Sequence, residues 1–242
     1  MELTGKVAVV TGSAHRVGKT IALALAKAGA HIVVHYHGSS DAPAAIAEIE
    51  ALGVRAIGVA ADLGEPAGAT AVFEAAEREF GGVDLLVNSA SNFQKGSVLT
   101  ISPEDWQDTL NINLSGPFFC AQLAARSMLQ RGGGAIVNIA DLSGLQPWAS
   151  YPAHSVSKAG LLMLTKVLAK ALAPTIRVNA VAAGPVLKPD DWDDARWQAS
   201  GAHTLLKRTG SGYDVARAAL FLLQEDYITG TMVLVDGGRS IV

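Results

Sequence analysis

Short β-branched runs alternate with longer Ala/Leu-rich stretches along the whole chain, a pattern that predicts strands joined by crossover helices. Residues 6–11 and 31–35 read as buried strands around a helix over 18–28, which Gly29 ends. Helix 42–52 with strand 55–60, and helix 66–80 with strand 85–88, repeat the unit. Two helices, 102–111 and 114–129, precede strand 135–139. Helix 153–173 then leads into strand 176–181, and helix 213–223 into strand 232–235. Every strand is short and apolar, as burial on both faces requires. The chain is therefore expected to be α/β, with a Rossmann-type doubly wound parallel sheet flanked by helices in three layers and one domain over residues 1–242. Residues 190–203, rich in Asp and Trp, break the periodicity and read either as a lid over a substrate or as a plain surface excursion.

Composition narrows the function classes. Half of the 242 residues are apolar, and the formal net charge of -3 comes from interspersed signs, which gives no footprint for a polyanion. Nucleic acid is not an expected partner; a small molecule is. Cys120 is the only cysteine, so an internal disulfide or cysteine-rich metal site cannot form, and it reads as a small buried residue in a reducing compartment. Residues 1–5 run straight into a strand without leader features, and no apolar run reaches membrane-spanning length. A soluble cytoplasmic protein without a metal site is expected.

The loop Thr11-Gly12-Ser13-Ala14-His15-Arg16-Val17-Gly18 joins the first strand to the first helix, where backbone amides and the positive helix end can hold a pyrophosphate. Gly12 permits the tight turn and Gly18 close packing. The middle glycine of the dinucleotide fingerprint is missing, and Arg16 stands in its region, either gripping phosphate or as a solvated helix-start cation. After the second strand, His35-Tyr36-His37-Gly38-Ser39-Ser40 holds no carboxylate to bind ribose hydroxyls. An extra phosphate would meet donors from Ser39, Ser40, His37 and Arg16, so NADPH is favoured over NADH. In Ala61-Asp62-Leu63, Asp62 is placed either against an adenine amino group or as the cap of the next helix. Further along, His154 and Lys158 stand four residues apart. On a helix they share one face, and the ammonium can tune a proton donor one turn before it.

Together these segments resemble the short-chain dehydrogenase/reductase family over essentially the whole chain. Thr11 to Gly18 resembles its glycine motif, with Val17 inside it. Asn88-Ser89-Ala90 is similar to its Asn-Asn-Ala-Gly strand end, Asn113 to its helix asparagine, Lys158 to its active-site lysine, and Val235-Asp236-Gly237-Gly238 to its terminal strand. The resemblance implies a catalytic set in which a tyrosine donates the proton, a lysine holds the cofactor ribose and an asparagine orders a water relay. Within the family the chain looks most like the pteridine reductases of the dihydrofolate/dihydromonapterin type, through Arg16, His35-Tyr36-His37, the run from Asn88 to Phe93, and Tyr227-Ile228-Thr229-Gly230. That branch carries aspartate at the usual serine position, thirteen residues before the tyrosine, and Asp141 stands at that distance from His154.

The resemblance implies cofactor contacts from the glycine loop, from residues 35–37 and Ser39, from Asp62 and Leu63, and from Asn88 to Ser91, with Ser91 on phosphate. Lys158, Gly184 and Val186 complete that set, Val186 offering its backbone to the carboxamide. Phe93 would stack on a flat pterin-like substrate beside Asp141 and Tyr151, or else anchor its own loop. Departures from the family are His154 for the tyrosine, Ser89 for the second asparagine, Gly38 for an arginine, Ala183 for a proline and Lys188 for a threonine. Tyr151 lies too far along the chain to replace the missing acid. His154 is then either a working acid paired with Asp141 or the mark of a dinucleotide binder that has lost its reaction. A homotetramer is implied by the family.

Overall fold

The computed structural model describes residues 1–190 and 192–242. Strands β1 (Val7–Val10), β2 (His31–Tyr36), β3 (Ala56–Ala60), β4 (Leu85–Asn88), β5 (Gly134–Asp141), β6 (Ile176–Ala183) and β7 (Met232–Val235) form one parallel sheet in the order β3-β2-β1-β4-β5-β6-β7. Helices α1 (Arg16–Lys27), α2 (Ala42–Glu50), α3 (Pro66–Phe80), α4 (Pro103–Leu110), α5 (Gly116–Gln130), α6 (Pro152–Leu172), α7 (Asp194–Ala202) and α8 (Gly212–Gln224) complete the chain. The doubly wound, three-layer α/β architecture expected from the sequence is the one observed.

Strand alternation divides the core in two. Ala8, Val10, Leu85, Val87, Ala135 and Val137 face one side, where Ile21 and Leu25 of α1 and Val215, Ala219 and Leu222 of α8 pack on them. Val7, Val9, Leu86 and Ile136 face the other, under Val72 and Phe73 of α3, Ala121, Ala124 and Met128 of α5, and Leu168 of α6. Cys120 lies in this second core, and burial pushes its thiol up to about 12, so it is an inert packing residue. No helix among the described residues is long and apolar enough to cross a membrane.

Two segments differ from expectation. The helices predicted over 102–111 and 114–129 run into one another through a π-helical turn, Asn111–Ser115, in which the Gly116 amide donates to the Asn111 carbonyl five residues back. Pro117 is the cause, because it has no N–H for the Asn113 carbonyl and its ring excludes a regular turn there. The excursion at 190–203 contains α7, started by the Asp193 carboxylate, which accepts the Arg196 amide. Asp191, within that excursion, lies outside the described residues.

The chain reverses its winding between β1 and β4, so the loops that follow these strands part and open a crevice at the carboxyl end of the sheet. Thr11 ties its two sides together, its hydroxyl accepting the Ser89 and Ala90 amides at 2.9 and 3.0 Å. Gly12 turns at φ +64° with a Cβ position 2.9 Å from the Ala90 Cα, and a Cβ on Gly18 would lie 2.2 Å from the Gly12 carbonyl. Gly18→Ala is therefore expected to cost about 1–3 kcal/mol by forcing α1 off the loop, read as a lower denaturant midpoint.

Candidate active site

The carboxyl ends of β4 and β5, the π turn and the first turns of α6 converge on one buried polar cluster. Asp141, the last residue of β5, opens a tight turn in which one carboxylate oxygen accepts both the amide and the hydroxyl of Ser143. Its other oxygen lies 2.7 Å from Nε2 of His154, on the first turn of α6. The sequence spacing of these two residues thus resolves into a direct contact. Burial alone would raise the Asp141 carboxyl. The His154 hydrogen bond, the nearby Lys158 and His154 charges and the Ser143 hydroxyl outweigh it and hold the group down at about 2. The carboxylate keeps about a fifth of its surface open, whereas His154 is 2% exposed, so Asp141 is the open member of the pair.

Lys158 shares the helix face of His154, and its ammonium donates to the Ile139 carbonyl at 3.0 Å. Burial pushes that ammonium down, with Asp141 opposing. The other two ammonium hydrogens meet no acceptor among the described residues. Asn113, in the π turn, grips the 92 peptide on both sides: its Oδ1 accepts the Asn92 amide at 2.7 Å, and its Nδ2 donates to the Asn92 carbonyl at 2.9 Å. The side chain that the family resemblance implies in a water relay is engaged here by protein groups.

An aromatic group covers the pair. Phe93 stacks on Tyr151 with ring centroids 4.3 Å apart, meets His154 edge-on at 4.8 Å, and remains half exposed. Trp148 lies parallel to His154 at 6.4 Å. Trp148, Ser143 and the Asn92 carbonyl were not foreseen from the sequence. The Asp-Leu-Ser spacing at 141–143 is a readable turn signal, whereas Trp148 and Asn92 sit in loops that carry no period.

Along the crevice, α1 starts without a side-chain cap and without an acidic residue in its first turn, which leaves its positive end open to an anion. Val17 is half-buried and Gly18 buried there. Arg16 adopts φ +54°, and its guanidinium reaches across to Asp190 at 3.1 Å, a solvent-exposed pair. Asn88, at the end of β4, donates through Nδ2 to Asn138, and its side-chain Oδ1 is buried without a partner among the described residues. Ser89 and Ala90 follow it, half-buried. His37 and Ser39 border the end of β2, and Ser39 accepts the Asp41 amide. Gly184 and the buried Val186 follow β6, the Gly184 amide donating to the Val235 carbonyl.

Several predicted site residues have other duties. His35 is buried with both ring nitrogens engaged, one accepting the Gly12 amide at 3.0 Å and the other 3.1 Å from the Ala61 carbonyl, so it braces the glycine loop and offers nothing to a ligand. Burial lowers its imidazole below the usual range. Asp62 does not cap α3, whose N-cap is Glu65; it accepts the Gly64 amide and stays exposed on the crevice side, while Leu63 is buried in the core. Ser91 donates to Asn113. Tyr36 is half-buried at the end of β2, where its ring packs near Gly58. Among the described residues no group of three His, Cys, Asp or Glu side chains is arranged to hold a metal ion.

Comparison with known proteins agrees with this architecture. The family described as enoyl-(acyl carrier protein) reductase matches residues 12–240. Human dehydrogenase/reductase SDR family member 4 is 36% identical over 98% of this chain and 88% of its own length. The 3-oxoacyl-(acyl-carrier-protein) reductase FabG of Staphylococcus epidermidis is 34% identical over 96% of this chain and 98% of its own. Among solved structures, a blue fluorescent protein from a metagenomic library in complex with NADPH superposes with a TM-score of 0.92 at 35% identity, covering 99% of this chain and 100% of that one. With a family match and relatives that span the chain almost end to end, the protein belongs to the short-chain dehydrogenase/reductase family of NAD(P)H-dependent oxidoreductases.

Proposed function

We propose that this protein uses NADPH to reduce a small cyclic C=N or C=O substrate of the dihydropterin kind. The observation that carries the reading is the Asp141 carboxylate, held as an anion at about 2 with an open face toward the crevice. Such a group is ionised and carries no proton of its own, so it accepts hydrogen bonds and suits the amino and ring N–H groups of a heterocycle rather than a bare ketone. Phe93, half exposed and edge-on to His154, offers a ring on which a flat substrate can stack. His154 holds the proton on the far side of the carboxylate, so a proton moving to the substrate passes through the pair.

The residues fit the cofactor. The uncapped start of α1, Arg16 and the Gly12 turn would take the phosphates, Lys158 with its spare hydrogens the ribose, and the crevice beyond Asn88, Ser89 and Ala90 the ring nearest the reaction. Bound NADPH supplies the hydride. An exposed ion pair such as that between Arg16 and Asp190 is worth little, so a phosphate can take over the guanidinium. Calorimetry should find NADPH bound more tightly than NADH, and Arg16→Ala should cost about 1.5–3 kcal/mol of NADPH binding. Equal affinities would reject the preference.

A second reading, a dinucleotide binder without turnover and with a regulatory or partner-subunit role, is favoured by one observation: both ring nitrogens of His154 already face protein groups. NADPH oxidation against dihydropterins, dihydrofolate and small ketones separates the two. Pterin turnover that drops in Phe93→Ala supports the first reading, faster ketone turnover moves the substrate class toward that of the FabG relative, and no turnover with intact NADPH binding supports the second. A homotetramer of single-domain subunits, working in the cytoplasm, completes the proposal.

A further inference from the structure

The hydrogens around His154 can be counted. The Asn92 amide donates to Oδ1 of Asn113, which fixes the orientation of that carboxamide. Its Nδ2 then has two hydrogens for three neighbours: the Asn92 carbonyl at 2.9 Å, the Ser157 hydroxyl at 3.1 Å and Nδ1 of His154 at 3.3 Å. The Ser157 hydroxyl donates its own hydrogen to the His154 carbonyl at 2.7 Å, so its oxygen is left to accept. The two shorter contacts take both Nδ2 hydrogens. Nδ1 of His154 now faces the Asn92 carbonyl at 3.1 Å, and a bare nitrogen there would set lone pair against lone pair in a buried site. On the opposite side, Nε2 meets an ionised carboxylate at 2.7 Å, a partner that can only accept.

We propose that Asn113 is a positioning residue: it fixes the Asn92 carbonyl and spends both Nδ2 hydrogens elsewhere than on Nδ1 of His154, which leaves Nδ1–H to donate to that carbonyl as well, so that the ring carries hydrogen on both nitrogens and holds Asp141 through Nε2–H. Asp141, His154, Asn113 and Ser157 then each meet partners of the right kind. The charged groups facing the ring are Asp141 at the end of β5 and Lys158 one turn on in α6; Phe93 and Trp148 close the remaining sides. Two cations therefore surround one carboxylate, an environment that favours a substrate atom gaining negative charge as it accepts hydride. The inference rests on the proposed role of Asp141 as the group that meets the substrate.

Nitrogen-15 NMR of the full-length protein labelled at its six histidines tests it, with His154 assigned by the signals missing from His154→Gln. Both ring nitrogens of His154 should carry hydrogen in the wild type. In Ser157→Ala one Nδ2 hydrogen is freed to reach Nδ1, and the Nδ1–H signal should weaken. In Asn113→Ala the Asn92 amide and carbonyl are no longer held beside the ring, and the signal should be lost, with kcat lower by about tenfold or more and KM little changed. If Asn113→Ala does not fold, Ser157→Ala carries the test. A wild type with a single protonated ring nitrogen, or an Nδ1–H signal unchanged in the variants, overturns the proposal. Both signals present without turnover of any substrate would support the hydrogen assignment and overturn the functional reading instead.

Discussion

His154→Gln should lower turnover by about 10²–10⁴-fold while leaving NADPH binding unchanged. Glutamine can still donate one hydrogen bond to Asp141, but it cannot carry a charge, so the cation that opposes burial of the carboxylate is gone. With burial left to act against Lys158 and Ser143, the Asp141 carboxyl must rise from about 2, which a carbon-13 carboxyl titration reads directly. Activity that depends on the Asp141 anion should therefore fail at low pH, and its acid limb should move upward in the variant. His154→Tyr provides the contrast: a phenol at that position should favour ordinary carbonyl reduction. Turnover unchanged in His154→Gln would place the acid elsewhere. A silent wild type beside an active His154→Tyr would identify a retired site.

At the other end of the sheet, Asp84→Asn should remove about 3 kcal/mol of stability. Asp84 is 2% exposed just before β4, where it accepts the Val7 amide at 2.9 Å and two hydrogens from Arg131 at 3.0 and 2.9 Å, with the Lys6 ammonium at 3.5 Å. Burial would raise this carboxyl, yet the Arg131 and Val7 hydrogen bonds and the Arg131 and Lys6 charges together hold it below its ordinary 3.8. A depressed carboxyl stabilises the fold fully above its unfolded value and loses that contribution as pH falls through the folded one. Wild-type stability should accordingly decline below about pH 4, and Asp84→Asn should flatten that decline. An unchanged denaturant midpoint at neutral pH would refute the assignment.

What could be foreseen from the sequence depended on the range of the signal. The β-branched strands, the α1 loop and Lys158 beside His154 are local patterns and stand close to where they were expected. The contact between Asp141 and His154 followed from a family spacing, because nothing local tells a strand-end carboxylate which helix will face it. His35 reads as a polar residue near a cofactor turn, and only the return of Gly12 over β2 makes it a brace. Asn113 entered through the family resemblance alone, and its grip on residue 92 was not legible because a loop backbone has no side-chain signature. The π turn was hidden for a related reason: the sequence pattern gives two helices, 102–111 and 114–129, whereas they run on as one that widens around Pro117.

The Asp84 cluster also bears on how this protein can be altered. Lys6, Asp84 and Arg131 clasp the amino-terminal edge of the strands, while Gly12, Asn88, Asp141 and Gly184 all sit at the opposite edge, a strand length away. An engineer can therefore treat the two rims as separate workshops. Changes that tighten the lower rim raise heat tolerance without reshaping the cleft, and a scaffold reinforced there has more room to accept destabilising loop variants above, where a new substrate would be recruited.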